Sequence, residues 1–526
     1  QEFFNRCGRT EGAELNADGP GAVFGDFVAE MFDYDTQNRD WQQIFTSLHK
    51  YWIAFADVDG FRIDAAKHVT LDFIAHFSTQ VRAYAHQLGK SNFFVVGEVA
   101  ASPTWQARTL GSMMSNRQDP RVHGDVPGAL TERLSELRST YLADPVFPAP
   151  GLNSVYNFNL SGTARDALKC LRSSSDVAGY FGSQAYKVVK EQAVSQRDAD
   201  SSNEWWTCVE IHDWDRFLHG SKPLFLLTAA LAWLLTSPGA PILYYGVEQG
   251  FNGNCPASVS AEMHELCTGS PNDTKSRQDM FASGPWRLGS AIGSVEQLAH
   301  VGNGTPVVRR PWQRDPFLPR EHRTFKMAKA LAALRNSHRA LSQGTIAWHA
   351  AADVPCGLLA FTRSWCDGSG AEPCEEAVVI INPGGAGDTV LDRVPLQDTA
   401  AAVEAGQRYR NALNSSEVAQ TAREGGRPWL IFRSVVLRPG DAAVFVREDL
   451  LGAQGAASIA SRIPVHPGSV ARRWSPPIFV LLAGLGAILP SFRKFRKKSP
   501  AGEAESDSSE TSGAESCSEQ PPPLDK

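Results

Sequence analysis

From Asp40 onward Trp41, Ile44, Phe45, Leu48, Trp52 and Phe55 recur at spacings of three and four, which predicts an amphipathic helix. The helix runs into a stretch of period two, in which Val58, Gly60, Arg62 and Asp64 share one face and Asp59, Phe61 and Ile63 the other. A second helix is expected over residues 69–88. The almost wholly apolar run 92–99 then has the character of a buried parallel strand. Further helices are expected at 130–142, at 164–168, over the apolar run 224–235, and where Phe325, Ala328, Leu331, Leu334 and His338 fall in phase. Helix followed by strand, repeated, is the grammar of a β/α barrel. From residue 344 to about 448 the period shifts to two with Gly and Pro punctuation, at 358–361, 377–381, 435–437 and 442–446, which predicts a small antiparallel β-sandwich.

Beyond a Gly/Ala/Ser-rich linker at 449–473, residues 474–492 carry no charge. As a helix rising about 1.5 Å per residue they would extend roughly 28 Å, close to the hydrocarbon thickness of about 30 Å. Arg493, Lys494, Arg496, Lys497 and Lys498 follow, against Arg472 and Arg473 before, so a single-pass anchor is expected with its C-terminus in the cytosol and the rest of the chain extracellular or luminal. The basic then acidic tail at 493–526 is too polar to bury a core and is expected to be disordered.

The 526 residues, 42% hydrophobic and 21% charged, suffice for two or three domains. A net charge of −6 spread over this length gives no footprint for nucleic acid. Thirteen Trp and ten Tyr beside 27 Phe supply flat faces that suit sugar rings and equally suit a core. Among nine Cys, Cys366 and Cys374 flank a Gly-rich turn and Cys255 and Cys267 bracket a short loop, as local disulfides of an oxidising compartment would. Sequons at Asn159, Asn272, Asn303 and Asn414 fit the secretory route. The chain opens at Gln1 with neither Met nor apolar leader, and we expect further residues before it in the natural protein.

Two carboxylates stand out chemically. Asp64 shares a strand face with Arg62, an arrangement that aims a carboxylate nucleophile and that also describes a buried structural ion pair. Glu98 ends an apolar strand, where a charge is costly unless used or paired.

The string Gly60-Phe61-Arg62-Ile63-Asp64-Ala65-Ala66-Lys67-His68 resembles the strand-four signature of the α-amylase family of glycoside hydrolases (family 13). Gly97-Glu98-Val99 looks like that family's strand-five motif, residues 152–158 like strand six, His212-Asp213 with Arg216-Phe217 like strand seven, and residues 239–250 like strand eight. Residues 31–38 resemble the segment that leaves the family's inserted domain. The resemblance implies that 1–38 end that insertion and that 39–343 form the C-terminal part of a (β/α)8 TIM barrel, with only strands four to eight evident. It further implies a β-sandwich at 344–448. Asp64 would be the nucleophile, Glu98 the acid/base and Asp213 the transition-state stabiliser, with Arg62, Lys67, His68, His212 and Arg216 binding substrate. The 5–5.5 Å separation that retention requires is within reach of neighbouring strands about 4.8 Å apart. Strand three, which should bring a binding Asp and His and a calcium-ligating Asn, has no place here, so calcium is implied by the family alone and its ligands are unknown.

The expected function is a membrane-anchored, retaining hydrolase or transglycosylase of α-1,4-glucan. Residues 250–255 and 277–290 look more like the amylase-like domain of fungal cell-wall α-glucan synthases than like digestive amylases, which gives an accessory role in glucan synthesis as one alternative. The other is a non-catalytic amylase-like ectodomain serving a membrane transporter, against which Asp64, Glu98 and Asp213 all remain.

Overall fold

The structure is a computed structural model that describes residues 3–5, 9–10, 20–27, 31–110, 151–191, 201–220, 222–253, 276–277, 322–367, 374–385, 387–396, 405–448 and 479–482. The helix expected at 130–142, Cys255, Cys267, Asn272, Asn303, the linker and the charged tail lie outside them. The chain divides into two compact units, one of residues 1–156, 194–197 and 474–526, the other of 157–193 and 198–473.

The first unit runs α1 (Pro20–Phe24), α2 (Arg39–Ala56), β1 (Gly60–Ile63), α3 (Leu71–Gln87), β2 (Phe94–Gly97), α4 (Pro103–Thr109) and β3 (Ser154–Val155). The strands are parallel, with Gly60 beside Phe94, Ile63 beside Gly97, and Val96 beside Ser154. Helix α2 starts where the Asn38 side chain accepts from Asp40 N and Trp41 N at 3.0 and 3.1 Å, and stops at Asp57, whose φ of 52° leaves the helical region. It packs on α3 through Trp41 against Phe73 and Phe45 against Phe77, while His49 meets Phe61 and Phe77 edge-on.

The face of α2 differs from expectation. Trp41, Gln42, Thr46, His49 and Ile53 are buried, whereas Ile44, Leu48, Trp52 and Phe55 are exposed. The helix carries apolar residues on two sides, and two polar members of the inner side find partners: Gln42 Nε2 donates to Thr36 O and Asp72 Oδ2, each at 2.8 Å, and His49 Nδ1 lies 2.7 Å from Phe45 O.

Of the segment expected to be a transmembrane helix, the described residues Phe479–Leu482 form a strand, parallel to β1 with Phe479 beside Gly60. A helix was expected there because the run lacks charge, but an uncharged run satisfies its backbone equally well in a parallel ladder. Among the described residues no helix is long and apolar enough to cross a membrane.

The second unit opens with α5 (Phe158–Leu168), α6 (Ser175–Gly182) and α7 (Gln184–Glu191), then β4 (Trp206–Thr207), α8 (Leu224–Thr236) and β5 (Ala240–Pro241), with β4 and β5 parallel. Helix α8 is apolar all round and buried along its length, as a helix enclosed on every side must be. After α9 (Arg323–Ser337) and α10 (Arg339–Gln343) come β6 (Thr345–Ala351), β7 (Leu359–Trp365), β8 (Glu375–Ile381), β9 (Thr389–Pro395), β10 (Arg408–Asn411), β11 (Val418–Glu424), β12 (Arg427–Leu437) and β13 (Ala442–Arg447). These eight make one antiparallel sheet in the order β9-β12-β11-β10-β13-β8-β7-β6. Its inward residues, among them Val378, Ile380, Val394, Tyr409, Leu430, Phe432 and Phe445, close on a single core.

Among the described residues of this unit there are two disulfides. Cys366–Cys374 closes the Gly-rich turn as expected, and Cys170–Cys356 joins residues 186 apart in sequence. The fully buried Arg363 fixes β7 to the end of α8, donating to Thr236 O and Asn203 Oδ1, each at 2.8 Å.

Candidate active site

The end of β1 is a short strand closed by a sharp turn. Ile63 sits beside Gly97, so the next residues of the two strands, Asp64 and Glu98, emerge side by side at the same end of the ladder. Glu98 N donates to Ile63 O at 2.9 Å, continuing the ladder up to the carboxylates. Ala65 then takes φ 49°, a left-handed conformation that an alanine adopts only under constraint, and its N–H points at Glu98 Oε2, 3.2 Å away.

Arg62 ties the two acids together. Its Nη1 donates to Asp64 Oδ1 and its Nη2 to Glu98 Oε2 at 2.8 Å. The guanidinium is only 3% exposed while Asp64 and Glu98 are 38% and 21% exposed, so a buried cation supports two acids that open to solvent. Its far side lies against the Tyr156 ring, 5.8 Å from the centroid. Burial raises the Glu98 carboxyl above the ordinary glutamate range, against the opposing pull of Arg62 and the Ala65 N–H and with added push from Asp64. That is the direction a proton donor near neutral pH needs.

Packing fixes this end of β2 from below. Gln106 is fully buried and donates to Val99 O at 2.7 Å and Tyr156 O at 2.9 Å, lacing the segment after Glu98 to the segment after β3. A Cβ at Gly97 would lie 2.4 Å from Leu152 Cδ1 and 3.1 Å from Ala66 Cβ, so a side chain there would displace Leu152 and crowd the turn after Asp64.

The two residues closing the strand-four string are placed otherwise than expected. Residues Ala66–His68 form a single 3-10 turn that rolls Lys67 inward to 1% exposure, so it is not open to a substrate. His68 turns toward α1, with Nδ1 2.6 Å from Ala22 O, and burial lowers its pKa. A carbonyl can only accept, so Nδ1 carries the proton.

In the second unit, Asp213 follows β4 on a loop and pairs with His212, whose Nε2 lies 3.0 Å from Asp213 Oδ2. The hydrogen bond from His212 holds the Asp213 carboxyl below the usual carboxylate range, with Arg277 contributing in the same sense. Arg216, expected to bind substrate, is instead fully buried. Its Nη1 donates to Glu210 Oε1 at 2.8 Å and to Tyr245 O at 2.6 Å, and its guanidinium stacks on Tyr244 and Tyr245 at 4.4 and 4.7 Å. Glu210 Oε2 also accepts from Phe217 N at 2.7 Å. The pair therefore pins the loop that carries Asp213 to the turn after β5, a role hidden from the sequence because a charged residue beside a motif reads as a ligand contact.

Calcium is implied by the family likeness; among the described residues no three or more His, Cys, Asp or Glu gather about one point.

The family model of the α-amylase catalytic domain matches residues 24–344. An α-amylase of Streptomyces lividans is 26% identical over 356 residues, 66% of this chain and 31% of that protein. The cell wall α-1,3-glucan synthase mok13 of Schizosaccharomyces pombe is 29% identical over 229 residues, 40% of this chain and 9% of that protein. The chain thus spans less than a third of the length of either. Among solved structures, an α-amylase from Malbranchea cinnamomea has a TM-score of 0.51 at 17% identity, covering 86% of this chain and 69% of the other. That of Geobacillus thermoleovorans, complexed with acarbose, has a TM-score of 0.50 at 17% identity, covering 85% and 72%. These structural likenesses speak for the fold: a TIM barrel with a C-terminal antiparallel domain.

Proposed function

Because the chain belongs to the α-amylase catalytic-domain family, we propose that it cleaves or transfers α-1,4-glucan with retention, using Asp64 as nucleophile, Glu98 as acid and then base, and Asp213 as a transition-state partner. A carboxylate oxygen of Asp64 attacks the anomeric carbon and the glycosidic bond breaks. The departing oxygen takes the proton of Glu98. In the second half, Glu98 removes a proton from water or from a glucan hydroxyl, which attacks the same carbon and frees Asp64. Two inversions at one carbon leave its configuration unchanged.

The observation that carries this reading is the Arg62 bridge between acids on neighbouring parallel strands. Strands about 4.8 Å apart bring carboxyls into the range of about 5–5.5 Å used by retaining enzymes. The raised Glu98 supports its role as donor. Glucan turnover by the full chain, compared with Asp64→Asn and with chain-length analysis of the products, tests it.

A second reading, glycosyl transfer during cell-wall glucan assembly, is supported by the similarity to the S. pombe synthase. Longer products in place of shorter ones would select it. The disulfides Cys170–Cys356 and Cys366–Cys374 and the exposed sequon at Asn414 support action outside the cytosol.

A further inference from the structure

Asp213 is gripped by a residue pair, Ser276 and Arg277, to which the sequence reading assigned no role in the site. Ser276, 2% exposed, donates from Oγ to His212 O at 2.7 Å. The following residue, Arg277, donates from Nη2 to Asp213 Oδ1 at 3.1 Å, and its Nε lies 3.5 Å from the same His212 carbonyl. His212 Nε2 occupies the other carboxylate oxygen at 3.0 Å. The ionisable groups facing Asp213 among the described residues are His212 and Arg277.

We propose that Arg277 is a positioning residue for Asp213, anchored by Ser276, and that it fixes the plane of the carboxylate so that its unused lone pairs meet two neighbouring hydroxyl groups of a glucan ring. This rests on the glucan-directed reading above. An ionised carboxylate offers about four acceptor sites. His212 and Arg277 take one on each oxygen, which leaves one on each for a vicinal diol. A guanidinium suits the task because its planar fork can hold the carboxylate and the His212 carbonyl together, which the single point charge of a lysine cannot do. The pair is not a folding device: Arg277 is 46% and Asp213 41% exposed, and ion pairs so open to water add little stability.

The test compares Arg277→Met and Arg277→Lys with wild type in the full chain, using a maltooligosaccharide substrate. Arg277→Met is expected to keep the wild-type melting temperature, to lower kcat/KM about ten-fold or more with most of the loss in kcat, and to move the acid limb of the pH profile upward. Arg277→Lys is expected to restore the acid limb but only part of kcat. An Arg277→Met enzyme with wild-type kcat/KM and pH profile overturns the proposal. A second readout is independent of turnover: the carboxyl of Asp213, followed by carbon-13 NMR and assigned with Asp213→Asn, should titrate higher in Arg277→Met than in wild type. An inactive wild type with that shift present would count against the glucan reading while sustaining the contact; an unshifted carboxyl would refute the positioning role.

Discussion

Arg62 on β1 donates to Glu98 at the end of β2 across 2.8 Å while holding Asp64 on its own strand. One buried cation therefore contacts both acids and sets their relative position. Arg62→Lys should show whether the fork or merely the charge matters, since an ammonium cannot make both contacts in this geometry. Expected is a loss in kcat/KM of about 100-fold, equivalent to about 2.7 kcal/mol of transition-state stabilisation. A lysine variant within a factor of three of wild type would assign the work to charge alone.

The raised pKa of Glu98 has a sign that can be followed in solution. Burial disfavours its charged form, so kcat/KM should fall as pH rises through the Glu98 pKa. Arg62 pulls the other way, so the basic limb should lie at higher pH in any Arg62→Met enzyme that retains activity. For stability, a carboxyl raised in the folded state makes its ionised form a cost to folding. Relative to Glu98→Gln, the wild type should lose stability as pH climbs from about 4.3, the free glutamate value, through the folded pKa. Urea unfolding of the two proteins across that window would reveal it, and parallel curves would deny the shift.

Gly97 offers a steric test of how the acids are supported. Its missing Cβ makes room for Leu152 Cδ1 and Ala66. Gly97→Ala should cost about 1–3 kcal/mol, as overpacking in a core does. It should also reduce activity, because Ala66 belongs to the turn just after Asp64. Unchanged unfolding and unchanged turnover would mean that the turn yields freely.

The short strands around these acids were legible because their chemistry is local. Alternation through Arg62 and Asp64 fixed a strand face, and an apolar run ending in Glu98 announced a buried strand with a purpose. Helix α2 was legible as a helix but not in its buried face, since Gln42 and His49 are buried by partners remote in sequence while Leu48 and Phe55 stay exposed. Arg216 misled for a related reason: its partner Glu210 and the rings of Tyr244 and Tyr245 turn a motif residue into a structural one. Cys170–Cys356 spans 186 residues and left no local spacing to notice. At Phe479–Leu482 an apolar run suited helix and strand alike, and the choice was made by the ladder beside Gly60.

The Glu210–Arg216 pair should behave as a buried ion pair, with side chains 1% and 0% exposed. Glu210→Gln or Arg216→Met alone is expected to destabilise the protein by about 3–5 kcal/mol, because each leaves a buried charge without its partner. The double variant should recover part of that loss, a coupling that a double-mutant cycle measures directly. Single variants with normal stability and only a raised KM would return Arg216 to the role of a substrate contact.

The most direct test of the central claim is glucan turnover by the full chain beside Asp64→Asn, with both shown to be folded. The account predicts that the wild type converts an α-1,4-glucan oligosaccharide into products of altered length with retained anomeric configuration, and that Asp64→Asn abolishes this. Undiminished turnover in Asp64→Asn, or a folded wild type that leaves the glucan untouched, would contradict it.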